Sequence, residues 1–98
     1  AGGKAKTQYL IDELGFDDAV DYKKEDYAEA LAKAVPNGVD VYYENVGGTV
    51  ANEVFKHLNS FARIPVCGSI SNYNDKEISY EPAVQPMLIK NQALMQGF

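Results

Sequence analysis

The sequence predicts an α/β fold in which a parallel sheet is flanked by helices. Two observations carry that reading. Short apolar runs alternate with helical patterns of ten or so residues, the arrangement that βαβ units require. Glycine and small polar residues cluster where those strands should end. In parallel sheets, ligands bind beyond the carboxyl ends of the strands.

Each element follows from its residues. Lys4 to Leu14 reads as a helix, with Leu10, Ile11 and Leu14 on one face and Gly15 as its stop. Ala19 to Tyr22 is a short strand candidate after the Asp17-Asp18 turn. Glu25 to Val35 is a second helix, with acids in its first turn and Pro36 and Gly38 beyond its end. Val39 to Tyr43 is β-branched and aromatic, the strongest strand signal in the chain. Gly47-Gly48 makes a tight turn, and Thr49 is the expected N-cap of a third helix. Ala51, Val54, Phe55 and Leu58 share its buried face. Ala62 to Cys67 reads as a strand despite Pro65, which cannot donate to a ladder. Ser69 to Gln85 is a long polar loop, a kind that is usually functional or mobile. A short helix over Pro86 to Ala93 leads into a last strand at Met95 to Phe98.

Bulk properties narrow the function. The chain has 98 residues, enough for one domain or part of one. Its net charge of −5 argues against nucleic-acid and anionic-membrane partners, which favour basic patches. No apolar run approaches the roughly 20 residues of a membrane span. The lone Cys67 permits no intrachain disulfide, and with the lone His57 it makes a zinc site hard to build; a reducing cytoplasm suits the chain. His57 is expected on the third helix, near the amino end of the sheet, as a structural residue. The Asp17-Asp18 and Glu25-Asp26 pairs sit at turn and helix-start positions and read as solvated caps. No hydrolytic constellation stands out. Ala1-Gly2-Gly3 reads as the exit of an upstream strand, so the chain is taken as a fragment.

The strand-end rule selects four places: Ala1–Lys6, Tyr22–Lys24, Glu44–Gly48 and Cys67–Asn74. An acid at the end of the second strand normally binds the adenine ribose of NAD; an NADP site replaces it with space and cations. Ala1-Gly2-Gly3 supplies no acid, and Lys4 and Lys6 follow. Composition alone leaves these lysines as a solvated face.

An ordered set of motifs goes further: Ala1-Gly2-Gly3-x-x-Lys6, Glu13-Leu14-Gly15-Phe16-Asp17, Asp21-Tyr22-Lys23, Val39-Asp40-Val41-Tyr42, Glu44-Asn45-Val46-Gly47-Gly48, Ala62 to Gly68, Ile70-Ser71-x-Tyr73-Asn74 and Gly97-Phe98. Together these resemble the zinc-independent medium-chain dehydrogenase/reductases of the alkenal, prostaglandin and curcumin reductase type, over the whole chain. The resemblance implies a partial Rossmann-type parallel sheet, lacking the first two strands and the glycine-rich turn. Residues 1–98 would then be part of an NADP(H)-binding domain, with the substrate domain absent. In the strand order 3-2-1-4-5-6 the missing pair separates Ala19–Tyr22 from the rest. That segment is expected to have no neighbour within this chain, and the isolated fragment to be poorly stable and inactive.

The resemblance also implies roles. Lys6 looks like the lysine that pairs with the NADP 2′-phosphate, and Tyr22 like a tyrosine lining the same pocket. Asn45 resembles the asparagine facing the cofactor; on its own residues it reads as an Asx turn. Cys67, Gly68, Ser69, Ile70, Ser71, Asn72 and Tyr73 resemble the loop around the nicotinamide ribose and pyrophosphate, with Cys67 a small buried residue. Tyr73 is the candidate catalytic residue, a donor to the substrate oxygen. Phe98 resembles the start of the strand whose backbone meets the carboxamide. The implied activity is NADPH-dependent reduction of the C=C bond of α,β-unsaturated aldehydes and ketones, with no metal. Relatives of this type are often dimers, so a homodimer is compatible with it. Two alternatives stand beside it: a quinone oxidoreductase of the same superfamily, and a non-catalytic α/β binding module.

Overall fold

The structure is a computed structural model describing residues 1–72, 76 and 80–98. It divides into two compact units, Ala1–Pro36 and Asn37–Phe98.

The first unit holds α1 (Lys4–Asp12) and α2 (Tyr27–Ala34). Gly3, at φ 100°, turns the chain into α1. Gly15 has φ 72° and ends the helical path, after which Phe16 N–H donates back to Leu10 C=O at 3.0 Å. Both helices are shorter than their apolar patterns suggest, and neither has a fully buried residue. In α2, Lys33 and Glu29 lie 3.8 Å apart in water, a pair of small energetic weight.

The expected strand at Ala19–Tyr22 does not form as a regular strand, yet it is not without a neighbour. The Ala1 amino group donates to Val20 C=O at 3.0 Å, and Tyr22 N–H donates to Ala1 C=O at 3.2 Å. This is a single rung of parallel pairing. The expectation of no partner in this chain is therefore corrected: Ala1 itself is one. A single rung satisfies too few backbone groups to define a strand.

The second unit holds β1 (Val39–Val41), α3 (Gly48–Phe55), β2 (Leu58–Val66), α4 (Gln85–Asn91) and β3 (Leu94–Gly97). The three strands form one parallel sheet in the order β1-β2-β3. Val20 is not part of it. The buried apolar residues are Ala51 and Val54 on α3 and Leu58, Ala62 and Ile64 on β2; the last three form a cluster, with Phe55, Val66, Met87, Leu88 and Met95 packed around them. Tyr42 meets Phe55 edge to face at 6.0 Å. Ile64, 1% exposed, is the largest side chain fully withdrawn from water among the described residues; burial of that size stabilises by about 1.5–3 kcal/mol.

Three details depart from the sequence reading. Leu58 lies on β2 rather than on α3, because Val39 N–H pairs with His57 C=O at 2.8 Å and draws the chain into the sheet one turn early. His57 therefore sits between α3 and β2, at the amino end of the sheet as expected. β2 begins at Leu58 instead of Ala62 and carries a bulge: Val39 pairs with Leu58, but Val41 pairs with Arg63. Phe61, at φ 65°, lies in the stretch of β2 between those pairs, where five steps on β2 match two on β1. Thr49 is inside α3, and Gly47, at φ 75°, is the N-cap, with no side-chain capping bond.

Pro65 is indeed within the central strand. Its carbonyl accepts from Glu44 N–H at 2.9 Å, and it pairs in register with Gln96. Tyr42 N–H bonds Arg63 C=O and Cys67 N–H bonds Glu44 C=O, so the ladder continues on both sides and loses one donor.

Candidate functional site

Two segments of the second unit meet at the carboxyl ends of β1 and β2, where a parallel sheet binds its ligands. One is Glu44 to Gly48, the other Cys67 to Ser71. Glu44 C=O accepts Cys67 N–H at 2.8 Å and Gly68 N–H at 3.2 Å. Asn45 C=O accepts Ile70 N–H at 3.1 Å, and Val46 C=O accepts Ser71 N–H at 2.9 Å. The chain then turns through a single 3-10 turn at Ile70–Asn72. Gly48, at φ 59°, lies against this turn: a Cβ placed there would stand 3.0 Å from Ser71 Oγ. The two loops are thus held at backbone distance, which glycine permits and larger residues obstruct.

Asn45 is exposed, but the side chain that organises the turn is not its own. Glu44 is 5% exposed, and its Oε1 accepts from Tyr42 Oη at 3.0 Å, Val46 N–H at 3.2 Å and Gly47 N–H at 2.8 Å. The Asx turn expected of Asn45 is replaced by this acceptor one residue earlier. The sequence reading missed Glu44. The available signal was an acid directly after a strand and before two glycines, a pattern that an exposed loop acid would share.

Cys67 is exposed, not buried as expected. Ala62 and Ile64 face the core, so alternation carries Arg63 and Cys67 to the opposite side of the strand, which is open. There the Cys67 thiol meets the Tyr43 phenol. That hydrogen bond, with some desolvation, holds the Tyr43 hydroxyl above its ordinary pKa. Phe98 is 80% exposed, with its ring centroid 6.0 Å from that of Tyr43. The same face carries an open apolar groove of about 420 Å³ between Val41, Pro65, Leu94 and Phe98. The structure therefore brings together Asn45, Cys67, Gly68, Ser69, Ile70 and Ser71, with Asn72 closing the turn and Phe98 on the adjoining face. Tyr73 lies outside the described residues.

The first unit holds the other candidates. Lys6 is exposed in the first turns of α1, its stem bordering an apolar groove with Ala1, Ala5, Tyr9, Leu10 and Leu14. Tyr22 stands over the strand exit: a Cβ at Gly2 would lie 3.1 Å from Tyr22 Oη and 2.8 Å from Lys23 Cε. Asp21, unassigned in the sequence reading, fixes this corner. Its Oδ1 accepts Gly3 N–H at 2.9 Å and Lys23 N–H at 3.0 Å. These two bonds, first that from Gly3, hold its carboxyl below the ordinary carboxylate range. Asp18 accepts from the adjacent Ala19 N–H at 2.8 Å, which caps no helix, and Asp26, at the N-cap of α2, makes no side-chain capping bond.

A parallel sheet with glycine-rich, mutually locked loops at its carboxyl edge defines a Rossmann-like α/β segment. The comparisons are specific. Residues 1–98 match the family described as zinc-binding dehydrogenase, and the chain belongs to that family. It is 47% identical to the NADPH-dependent curcumin reductase of Escherichia coli and 45% identical to the NADP(+)-dependent 2-alkenal reductase of Nicotiana tabacum, in each case over its full length. It is 46% identical to CurA from Vibrio vulnificus in complex with NADPH, with a TM-score of 0.93 over the whole chain. The chain spans about 30% of the length of these relatives. The fold is thus the parallel α/β arrangement expected from the sequence.

The family description mentions zinc, but the described residues do not fit it. His57 and Cys67 lie at opposite ends of β2, and among the described residues no three His, Cys, Asp or Glu side chains group to hold a metal. Among the described residues, no helix is long and apolar enough to cross a membrane.

Proposed function

We propose that residues 1–98 are part of the NADP(H)-binding domain of a reductase that saturates the C=C bond of α,β-unsaturated aldehydes and ketones. The observation that carries this reading is the locked pair of loops, Glu44–Gly48 and Cys67–Ser71, at the carboxyl edge of the sheet. A closely similar backbone, at 46% sequence identity, occurs in CurA from Vibrio vulnificus, solved in complex with NADPH. Glycine at positions 2 and 48 lets Tyr22 and Ser71, both assigned to the cofactor, close on the backbone where a Cβ would crowd them.

Each side chain then has a task. Lys6 pairs with the 2′-phosphate, and the Tyr22 hydroxyl lines that pocket. Asn45 and the Cys67–Asn72 segment line the nicotinamide half, Cys67 as a wall rather than a nucleophile. The Phe98 backbone meets the carboxamide. When bound, the reduced nicotinamide supplies a hydride to the substrate's β-carbon. The C=C electron pair moves toward the carbonyl oxygen as the substrate becomes an enolate. Tyr73 donates a hydrogen bond to that oxygen, and the α-carbon takes its proton from water or a nearby hydroxyl. The substrate is a small enal or enone.

Product analysis tests this. The full-length reductase is given NADPH with an enal, an enone and a quinone in separate reactions. The reading expects the saturated aldehyde and ketone, with the carbonyl retained. Allylic alcohol as the product, or turnover of the quinone alone, would overturn it.

A further inference from the structure

Beside the second-unit residues assigned to the cofactor, one side chain outside that set shapes the Glu44–Gly48 loop. Glu44 is the buried charged residue of the described chain, at 5% exposure. A carboxylate withdrawn from water is costly unless donors compensate it. An apolar residue would fill the same space without that cost, so space-filling does not account for the acid. Its Oε1 collects three donors instead: Tyr42 Oη, Val46 N–H and Gly47 N–H.

Those bonds decide the shape of the loop. A carboxylate only accepts, so it draws the two amide N–H groups inward and fixes the path of Asn45. Gly47, at φ 75°, and Gly48, at φ 59°, are conformationally free residues that need such a restraint. The main chain of Glu44 completes the clamp. Its N–H bonds Pro65 C=O at 2.9 Å, and its C=O takes Cys67 N–H and Gly68 N–H. Asn45 and Val46 then receive Ile70 and Ser71. Glu44 thereby ties the chain beyond β1 directly to Cys67 and Gly68, and its side chain orders the neighbouring residues whose carbonyls take Ile70 and Ser71.

We propose that Glu44 is a positioning residue: its buried carboxylate preorganises the two loops that receive the nicotinamide half of NADPH. This rests on the reading under Proposed function. Without the carboxylate the loops sample other placements, and apparent affinity falls with the fraction of competent molecules.

The test uses the full-length reductase, with Glu44→Gln and Tyr42→Phe as variants. Tyr42→Phe removes one of the three donors while keeping the ring against Phe55. NADPH dissociation constants come from fluorescence titration, kinetic constants from steady-state assays, and Tm is recorded for each protein. Charge-assisted bonds are about twice as strong as neutral ones, so Glu44→Gln should weaken NADPH binding and raise KM for NADPH roughly tenfold. Tyr42→Phe should shift both about threefold in the same direction. The KM for the enone should stay unchanged, with kcat at saturating NADPH largely retained. A merely structural role would lower Tm and leave NADPH affinity intact, and that result overturns the proposal. If Glu44→Gln does not fold, Tyr42→Phe decides by the same readouts. Failure of the unmodified enzyme to bind NADPH would overturn the functional reading and this inference with it. Normal binding that both variants share would overturn this inference alone.

Discussion

Gly48→Ala probes the contact between the two site loops. The added methyl meets two obstacles. Gly48 has φ 59°, in the left-handed region, where an L-residue costs about 1–2 kcal/mol more than glycine. The new Cβ would also stand 3.0 Å from Ser71 Oγ and 3.6 Å from Ser71 Cβ. Ser71 cannot retreat freely, because its N–H is held by Val46 C=O at 2.9 Å. Overpacking of this kind costs about 1 kcal/mol at its mild end. Together the variant should lose about 2–3 kcal/mol of loop or global stability, roughly 30- to 150-fold in an equilibrium constant. Urea unfolding of the full-length enzyme measures the global part, and NADPH titration measures the loop part. Adding Ser71→Ala should recover the contact share and leave the backbone share. A Gly48→Ala enzyme as stable and as tight for NADPH as the original would refute the reasoning. A double variant no better than the single would refute the contact share alone.

Two further predictions concern the frame and one corner of the site. Ile64→Ala, at a position 1% exposed beneath α3 and α4, should destabilise by about 3 kcal/mol in urea unfolding, and a loss below about 1 kcal/mol would mean the site collapses readily. Asp21 has its carboxyl held below the ordinary range by Gly3 N–H and Lys23 N–H. A depressed folded-state pKa gives stability that is present above the ordinary carboxylate value and lost as pH falls through the folded value. Tm should therefore fall more steeply in acid for the original than for Asp21→Asn; parallel curves would contradict this.

β1, α3, β2 and the ligand edge were legible, because β-branched runs, apolar periodicity and strand-end glycines are local signals. The core residue Leu58 was legible as buried but not as a strand residue, because pairing of Val39 with His57 is a tertiary event that ended the helix early. The Phe61 bulge belongs to the register between two strands and leaves no local mark. The rung between Ala1 and Val20 was hidden for the same reason. At the site, glycine and asparagine drew attention, but Glu44 and Asp21 form the acceptors. An acid beside a turn reads as solvated until its burial and donors are seen. Cys67 was misread as buried because its face depends on which side of β2 the helices cover.

The most direct test of the account is cofactor choice. NADPH and NADH are titrated against the full-length enzyme, then against Lys6→Ala and Tyr22→Phe. The account predicts a strong preference for NADPH, reduced at least tenfold by Lys6→Ala and less by Tyr22→Phe, with NADH binding little changed. Equal binding of the two cofactors, or a preference untouched by Lys6→Ala, would contradict it.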